Sequence, residues 1–568
     1  MESHGRTGEA RLRGTPVVPR PTAGMTCGRA VSNLTVLPMM SLRILLVLPI
    51  LALPARAADP SAGSTHAPPT SGASLRAPGA PVEAPLAGGR VSALAAALAA
   101  GEQDAIYGNA TVGVQVVNVR TGEEIYHFGD DAPLAPASVM KIVTAATALR
   151  ELGPAYRIPT WVLADGDIDS AGLLAGSLYI KGQGDPSMDS ARLWRIVSDL
   201  KMRGIQEIKG DLVLDASYFE AGASIIPGWS NSEDLANPPA YFPLLGALSV
   251  HQNMVTMSVR PGGATGQPAV TQVEVPFPGV VLQNEVKTGS RASRPWIKVE
   301  RTVDSAGTVA TFKLTGNVPV DGAAETFWRP VADPLGQYAA ALTKVLQQQG
   351  VRVRGRIRPG LTPTAAKLVL RSESDPLGEL LAFAQKTSNN FYAEQILRVV
   401  GAEKRGLPGT TAKGIDVVGA YLERLGIGRR DVTLINGSGL SRDMRLRPSN
   451  VTAVLLDMSQ DPDLGPEFEA SLSVAGRDGT LWSRFRDDSM AGRLRGKTGT
   501  LAGVSTLAGY VRAADGERYA YTFFANAIPG VPGRARKAHD RLVATLAGTS
   551  AAPEPATEAD VAQVEGIR

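Results

Sequence analysis

The stretch LAPASVMKIVTAATALREL, residues 134–152, places a lysine inside a segment that is otherwise small and apolar. From Ala135 onward this composition predicts a buried helix, in which Ser138 and Lys141 are two of the few polar residues. Lysine is seldom fully buried, because an ammonium group that loses its hydration tends to release its proton. We therefore expect Lys141 to be largely neutral and able to act as a base.

Ser138 and Lys141 form a Ser-x-x-Lys motif whose two side chains share one face of the predicted helix. Pro136 marks the start of that helix, so the pair lies at the positive end of the helix dipole. Positive potential and burial both favour the neutral amine, which can take the hydroxyl proton of serine. The motif thus predicts a serine nucleophile with its own lysine base.

Two further motifs follow in the chain. Ser388-Asn-Asn390 offers a hydroxyl that can relay a proton and an amide that can hold a substrate peptide, although a helix N-cap is the simpler interpretation of this motif alone. In Lys497-Thr-Gly-Thr500, Gly499 allows close approach of a substrate backbone, and Lys497 and Thr498 can bind a carboxylate.

Two of these motifs occur twice, so neither is specific by itself. Ser198-Asp-Leu-Lys201 is a second Ser-x-x-Lys on an amphipathic, charged helix, and we interpret it as surface. Lys287-Thr-Gly-Ser290 is a second Lys-Thr-Gly in a strand-rich region, and we interpret it as a turn.

The three motifs in this order resemble the penicillin-recognising serine enzymes. The 250 residues between Ser138 and Ser388 exceed what a class A β-lactamase accommodates. A long insertion between the first two motifs resembles that of peptidase family S13, the D-alanyl-D-alanine carboxypeptidases and endopeptidases typified by penicillin-binding protein 4. Further matching segments are Gly184-Asp-Pro-Ser187, Gly210-Asp211, Asp215-Ala-Ser-Tyr-Phe219, Pro227-Gly-Trp229, Asn436-Gly-Ser-Gly-Leu-Ser-Arg442 and Ala475-Gly-Arg-Asp-Gly479.

The resemblance implies an α/β (α+β) fold: a transpeptidase-like domain with a five-stranded antiparallel sheet and helices, interrupted by two nested insertion domains. The boundaries that we predict are 89–155 and 372–548 for the catalytic domain, 156–249 and 325–371 for the inserted domain, and 250–324 for a β-rich domain nested in it. Composition predicts a disordered linker over 58–88 and a disordered tail over 549–568.

The implied activity is that of a serine D-Ala-D-Ala carboxypeptidase and D,D-endopeptidase, which acts on peptidoglycan stem peptides and cross-links and is acylated by β-lactams. The residues implied to be catalytic are Ser138, Lys141, Ser388, Asn390 and Lys497. Those implied to bind substrate are Thr498, Gly499, Thr500, Arg442, Asp215 and Phe219, whereas a glutamine of some family members is replaced by Ala502. No metal or cofactor is expected, because the histidines of the folded region are scattered.

Two alternatives stay open. A serine β-lactamase would use the same motifs but would need a dedicated base for deacylation, and we can assign none. A non-catalytic penicillin sensor or cell-wall-binding protein would need no base, and so would not explain Lys141 and Lys497.

Residues 43–58, RILLVLPILALPARAA, have the features of a secretory signal peptide in the correct order. Arg43 is followed by the apolar run Ile44–Leu53, and small residues at Ala55 and Ala57 have the cleavage spacing. The run is too short and too interrupted by proline to remain as a membrane anchor.

Removal of residues 1–57 changes what the composition implies. They contain seven arginines and two glutamates, so the formal charge falls from +4 to −1 and gives no reason to expect nucleic-acid binding. The single cysteine, Cys27, also lies there, so the mature chain is expected to form no disulfide. An exported chain without cysteine suits a bacterial periplasm.

We expect the exported protein to begin near Ala58 or Asp59 and to lack a thiol, because cleavage after the small residues removes Cys27. N-terminal sequencing of periplasmic protein measures this directly. A mature form that retains Cys27 would contradict the prediction.

Overall fold

The structure is a computed structural model that describes residues 93, 95–100, 110–221, 225–229, 237–529 and 533–548. The predicted signal peptide, linker and tail lie outside these residues. All of the described residues fall within one compact unit. None of the helices in these ranges combines the length and the apolarity that crossing a bilayer requires.

Strands and helices occur throughout the described ranges, and the mixed α/β class predicted from the sequence is confirmed. The strands are β1 (Thr111–Asn118), β2 (Glu124–Phe128), β3 (Pro159–Ala164), β4 (Leu173–Leu174), β5 (Leu178–Gly182), β6 (Glu207–Ile208), β7 (Leu212–Asp215), β8 (Met254–Arg260), β9 (Val270–Val273), β10 (Val280–Gly289), β11 (Trp296–Val303), β12 (Ala310–Pro319), β13 (Glu325–Pro330), β14 (Arg352–Val353), β15 (Ile357–Pro359), β16 (Lys367–Glu373), β17 (Ser473–Val474), β18 (Leu494–Leu501), β19 (Val504–Arg512) and β20 (Arg518–Asn526).

Several helices begin at a side chain that accepts a hydrogen bond from the first turn, as Asp189, Asp333, Asn389 and Thr410 do. The helices that follow β2 are α1 (Met140–Leu152), α2 (Ser190–Met202), α3 (Pro334–Gln349), α4 (Leu377–Lys386), α5 (Asn390–Arg405), α6 (Thr411–Arg424), α7 (Pro448–Gln460), α8 (Gly465–Ser471) and α9 (Gly533–Ala547).

The sheet that carries the Lys497-Thr-Gly-Thr500 motif combines strands from early and late parts of the described chain, in the order β17-β18-β19-β20-β1-β2. All of its strand pairs are antiparallel, and two-residue β17 extends the five predicted strands at one edge. Helices cover both faces: α1 and α4–α8 share one apolar core with the sheet, and α9 packs on the other face. Strand β19 is therefore buried along almost its whole length.

The excursion between α1 and α4 forms separate sheets. A five-stranded sheet, β15-β7-β5-β3-β16, packs its apolar side chains against α2 and α3, beside a small parallel sheet β14-β6-β4. Two three-stranded sheets, β10-β12-β11 and β13-β8-β9, enclose another core around Phe312 and Leu314.

Two details of the excursion differ from the sequence-based expectations. Strand β13 pairs with β8, so Glu325–Pro330 extends the β-rich sheets past the predicted limit at residue 324. Lys287 lies within β10, which runs parallel to β12, and not in a turn, because pairing with a strand distant in the sequence overrides the local Gly signal. The other domain limits remain predictions.

Candidate active site

Ser138 lies in the short 3-10 turn Ala137–Val139 that leads into α1. Ala137 has a left-handed backbone with φ of +45°, which is uncommon for a residue that carries a side chain. Such strain persists only where the surrounding structure imposes it. The turn places the Ser138 hydroxyl next to the buried side of α1.

Lys141 is 1% exposed, and its amine makes three hydrogen bonds. Nζ donates to Ser138 Oγ at 3.0 Å, to Asn390 Oδ1 at 2.6 Å and to the Ser438 carbonyl at 2.8 Å. Burial lowers the pKa of Lys141 to about 7, against the opposing influence of the Glu394 carboxylate. A substantial neutral fraction at neutral pH makes this amine a suitable acceptor for the Ser138 proton.

Lys497 stands on the other side of the site, on β18, and is fully buried. Its Nζ donates to Ser388 Oγ at 2.9 Å and to the Thr498 carbonyl at 2.6 Å. Burial, together with repulsion by Lys141, holds the pKa of Lys497 well below its usual value. The two lysines therefore disfavour each other's charged forms.

The Ser388-Asn-Asn390 motif both caps a helix and contacts the two lysines, whereas its roles toward a substrate remain predictions. Asn389 is the N-cap of α5, since its side chain accepts a hydrogen bond from the Tyr392 N–H. Ser388, with φ of +55°, and Asn390 flank the cap and contact the two lysines.

Gly499 brings β18 against Ser138. A Cβ at this position would lie 2.9 Å from the Ser138 nitrogen and 2.2 Å from Thr506 Oγ1, so no side chain fits there without movement. Next to it, Thr498 Oγ1 donates to Thr480 Oγ1 at 2.8 Å. Thr500 is the following residue of the same strand.

The three other predicted substrate residues are differently placed. Asp215 is 1% exposed, and its carboxylate accepts backbone hydrogen bonds from Ser217 at 3.0 Å and Thr362 at 2.8 Å. Phe219 is buried beneath the Arg398 guanidinium, which lies 5.8 Å from the ring centre. Arg442 is exposed. Asp215 and Phe219 thus already make contacts within the protein. The substrate roles of all three residues remain predictions.

The duplicate motifs are outside this site. Ser198 Oγ and Lys201 Nζ both bind Gln349, at 3.0 Å to its side chain and 2.7 Å to its carbonyl, rather than each other. Lys287 is an exposed residue of β10.

Glu394 is a residue of the site that the motif analysis missed. It is fully buried on α5, and its Oε1 accepts the Ser438 N–H at 2.7 Å, which orients the loop whose carbonyl binds Lys141. Burial raises the pKa of this carboxyl group. A signal was available, because Glu394 follows Asn390 by four residues and so lies on the same helix face, within an apolar stretch.

The similarity to known proteins covers most of the chain and is not confined to the three motifs. The D-Ala-D-Ala carboxypeptidase 3 (S13) family profile matches residues 94–546. A D-alanyl-D-alanine carboxypeptidase from Actinomadura sp. (strain R39) is 32% identical over 451 residues, which cover 77% of this chain and 82% of that protein. The carboxypeptidase DacB from Haemophilus influenzae is 27% identical over 427 residues, covering 73% and 85%. The crystal structure of penicillin binding protein 4 (dacB) from Haemophilus influenzae has a TM-score of 0.68 at 25% identity, covering 81% of this chain and 98% of that one.

Acylation by penicillin should rise with pH through about 7 and level off above it, because only the neutral Lys141 amine can accept the Ser138 proton. The second-order acylation constant, measured from about pH 5 to about pH 9, tests this. Glu394→Gln removes a charge that raises the pKa of Lys141, so it should move the midpoint to lower pH. A midpoint that stays in place or moves upward in that variant would contradict the electrostatic argument.

Lys497→Ala should lower the acylation constant roughly tenfold to a hundredfold. The substitution removes the charge-assisted contact between Lys497 and the carboxylate of the substrate, which is worth about 1.5–3 kcal/mol. Lys287→Ala is the matched control and should stay near wild type, since Lys287 is exposed on β10. The measurement is the acylation constant of each variant with a fluorescent penicillin and with a D-Ala-D-Ala peptide. Equal losses in both variants would mean that β18 is not the substrate-binding strand.

Proposed function

The chain belongs to the D-Ala-D-Ala carboxypeptidase (S13) family, and from this premise we propose that it hydrolyses D-Ala-D-X bonds of peptidoglycan through an acyl-enzyme on Ser138. It is a serine peptidase of stem peptides, and β-lactams acylate it. The observation that carries the assignment is the buried Lys141 amine, 3.0 Å from Ser138 Oγ and with a pKa of about 7. A pure binder would gain nothing from such a costly group.

Acylation begins with proton transfer from Ser138 Oγ to the neutral Lys141 amine, while the oxygen attacks the D-Ala carbonyl carbon. The carbonyl oxygen becomes an oxyanion, which the backbone N–H groups of Ser138 and Thr500 stabilise. As the C–N bond breaks, the proton held by Lys141 is relayed through the Ser388 hydroxyl to the leaving amine, so that Lys141 is neutral again and Ser388 keeps a proton. Asn390 holds the substrate amide during these steps.

The substrate carboxylate has a second role at Lys497. An anion beside this amine favours its protonated form, since the opposite charge offsets the desolvation that lowers its pKa. A charged Lys497 in turn disfavours an ammonium on Lys141, because the two amines repel each other. Binding of the carboxylate by Lys497 and Thr498 thus prepares Lys141 as the base.

Deacylation needs only water in place of the departed amine, with the same groups moving protons in reverse. A penicillin leaves no departing fragment, because its amine stays attached to the acyl group and obstructs this approach of water. A lasting penicilloyl-enzyme therefore distinguishes the carboxypeptidase from a serine β-lactamase, which would release the adduct rapidly.

The site of action that we propose is the periplasm. Peptidoglycan lies outside the cytoplasmic membrane, and the predicted signal peptide provides the route of export. Arg442, Asp215 and Phe219 stay our candidates for contacts with the third residue of the stem peptide.

Ser138→Ala should abolish covalent penicillin labelling, whereas Ser198→Ala should leave it intact because Ser198 binds Gln349 and not a buried lysine. Mass spectrometry of each protein after penicillin, followed over time, measures both labelling and release. Labelling retained in Ser138→Ala would refute the nucleophile, and rapid loss of the adduct from the wild type would favour the β-lactamase.

A further inference from the structure

The N-terminal end of α5 is held by the segment 239–253, which connects the inserted part of the chain to β8. Asn390 Nδ2 donates to the Tyr241 carbonyl at 2.8 Å, and Asn389 Nδ2 donates to Gln252 Oε1 at 2.7 Å. Further along the helix, Gln395 Nε2 donates to the Gly246 carbonyl at 2.8 Å. Three successive contacts therefore link the excursion to the helix that begins at the Ser388-Asn-Asn390 motif.

The backbone of this segment is strained at the point where it meets the motif. His251, Gln252 and Asn253 have φ of +52°, +56° and +58°, so three consecutive residues with side chains adopt the left-handed conformation. Isolated cases of this kind are uncommon and are retained where the surroundings impose them, often at functional sites.

Buried contacts hold this strained turn in place. Asn253 is fully buried, and its Nδ2 donates to the Leu244 carbonyl at 2.8 Å and to Ser249 Oγ at 3.0 Å. The His251 ring lies 2.9 Å from Ser190 Oγ at the start of α2. With both of its neighbours anchored, Gln252 presents its amide to Asn389 from a fixed backbone.

Asn389 is the residue through which such a contact reaches the reaction. Its neighbours on either side, Ser388 and Asn390, bind Lys497 and Lys141 respectively. Its own Oδ1 caps α5, so Gln252 binds the one part of this side chain that the helix leaves available. A rotation of residue 389 would move both lysine contacts together.

We propose that Gln252 is a positioning residue for acylation: by holding the Asn389 amide, it fixes Ser388 and Asn390 against the two lysines. This inference rests on the proposed function of Ser138 as the acylated nucleophile. It also gives a role to the middle residue of the motif, whose side chain takes no part in the chemistry.

The chemistry of the pair supplies a sharp test. Gln252 can turn its amide so that it donates to a carboxylate at position 389, and Asn389 can donate to a carboxylate at position 252. Each single exchange, Asn389→Asp or Gln252→Glu, thus retains a hydrogen bond. The double exchange sets two carboxylates against each other without a donor between them.

We expect Gln252→Ala to lower the acylation constant roughly tenfold, and each single carboxylate exchange to lower it less than about threefold. The double variant should lose a further factor of about ten beyond the product of the single losses. The assay is labelling by a fluorescent penicillin together with D-Ala-D-Ala peptide hydrolysis. Thermal unfolding of each variant reports whether the fold is retained, and Gln283→Glu, exposed on β10, is the control that should match wild type.

Three outcomes would overturn the inference while leaving the proposed function in place. Near wild-type acylation in Gln252→Ala would overturn it, and so would a double variant whose loss equals the product of the single losses. A loss that appears only in variants with lowered thermal stability would also overturn it, because that would show general destabilisation. Absence of labelling in the wild type would instead refute the proposed function, and the inference would fall with it.

Discussion

The burial of the Lys141 amine is the constraint on which the rest of the site depends. Removed from water, this amine must find its hydrogen-bond partners within the protein, and it finds them on Ser138, Asn390 and Ser438. The last two lie 249 and 297 residues away along the chain. These hydrogen bonds can form together only when α1, the start of α5 and the 436–439 loop are all in place. The environment that lowers the pKa of Lys141 therefore depends on long-range packing.

This arrangement is unfavourable for stability in two ways: the backbone is strained, and two amines of like charge lie close together. Lys141 and Lys497 are both buried and repel each other, and Ala137 and Ser388 hold left-handed backbones beside them. Each feature would be removed by selection for stability alone. In the mechanism that we propose, their concentration around one hydroxyl makes Ser138 reactive, because burial lowers the pKa of Lys141 to about 7 and so provides a neutral amine near neutral pH.

Sequence reasoning located the three motifs because each relies on local rules: Ser138 and Lys141 share a helix face, and Gly499 permits close approach. It also distinguished both duplicate copies by their surroundings. It misassigned Lys287 to a turn, since pairing of β10 with β12 depends on contacts that the local sequence does not contain. Gln252 was overlooked for the same reason, because its partner Asn389 lies 137 residues away. Glu394 was missed although its spacing from Asn390 offered a local signal, because its own partner, Ser438, lies 44 residues away.

The structure also shows how a long excursion can separate Ser138 from Ser388 without separating their side chains. The chain leaves through β3 and returns through β16, which pair with Pro159 opposite Glu373, and the Ser374 N–H donates to the Ile158 carbonyl at 2.9 Å. The β-rich part is closed in the same way: β8 and β13 pair with Met254 opposite Pro330, and the Val331 N–H donates to the Asn253 carbonyl at 3.0 Å.

Because the entry and exit of each insertion are hydrogen-bonded neighbours, the insertion closes its own loop, and the host domain spans a gap of only a few ångströms. The entropic cost of closure grows slowly with loop length, so each insertion can be large provided that its first and last strands pair. Segment 239–253 then lies between these two closures, anchored at both ends, which is where a rigid contact to the catalytic motif can be built.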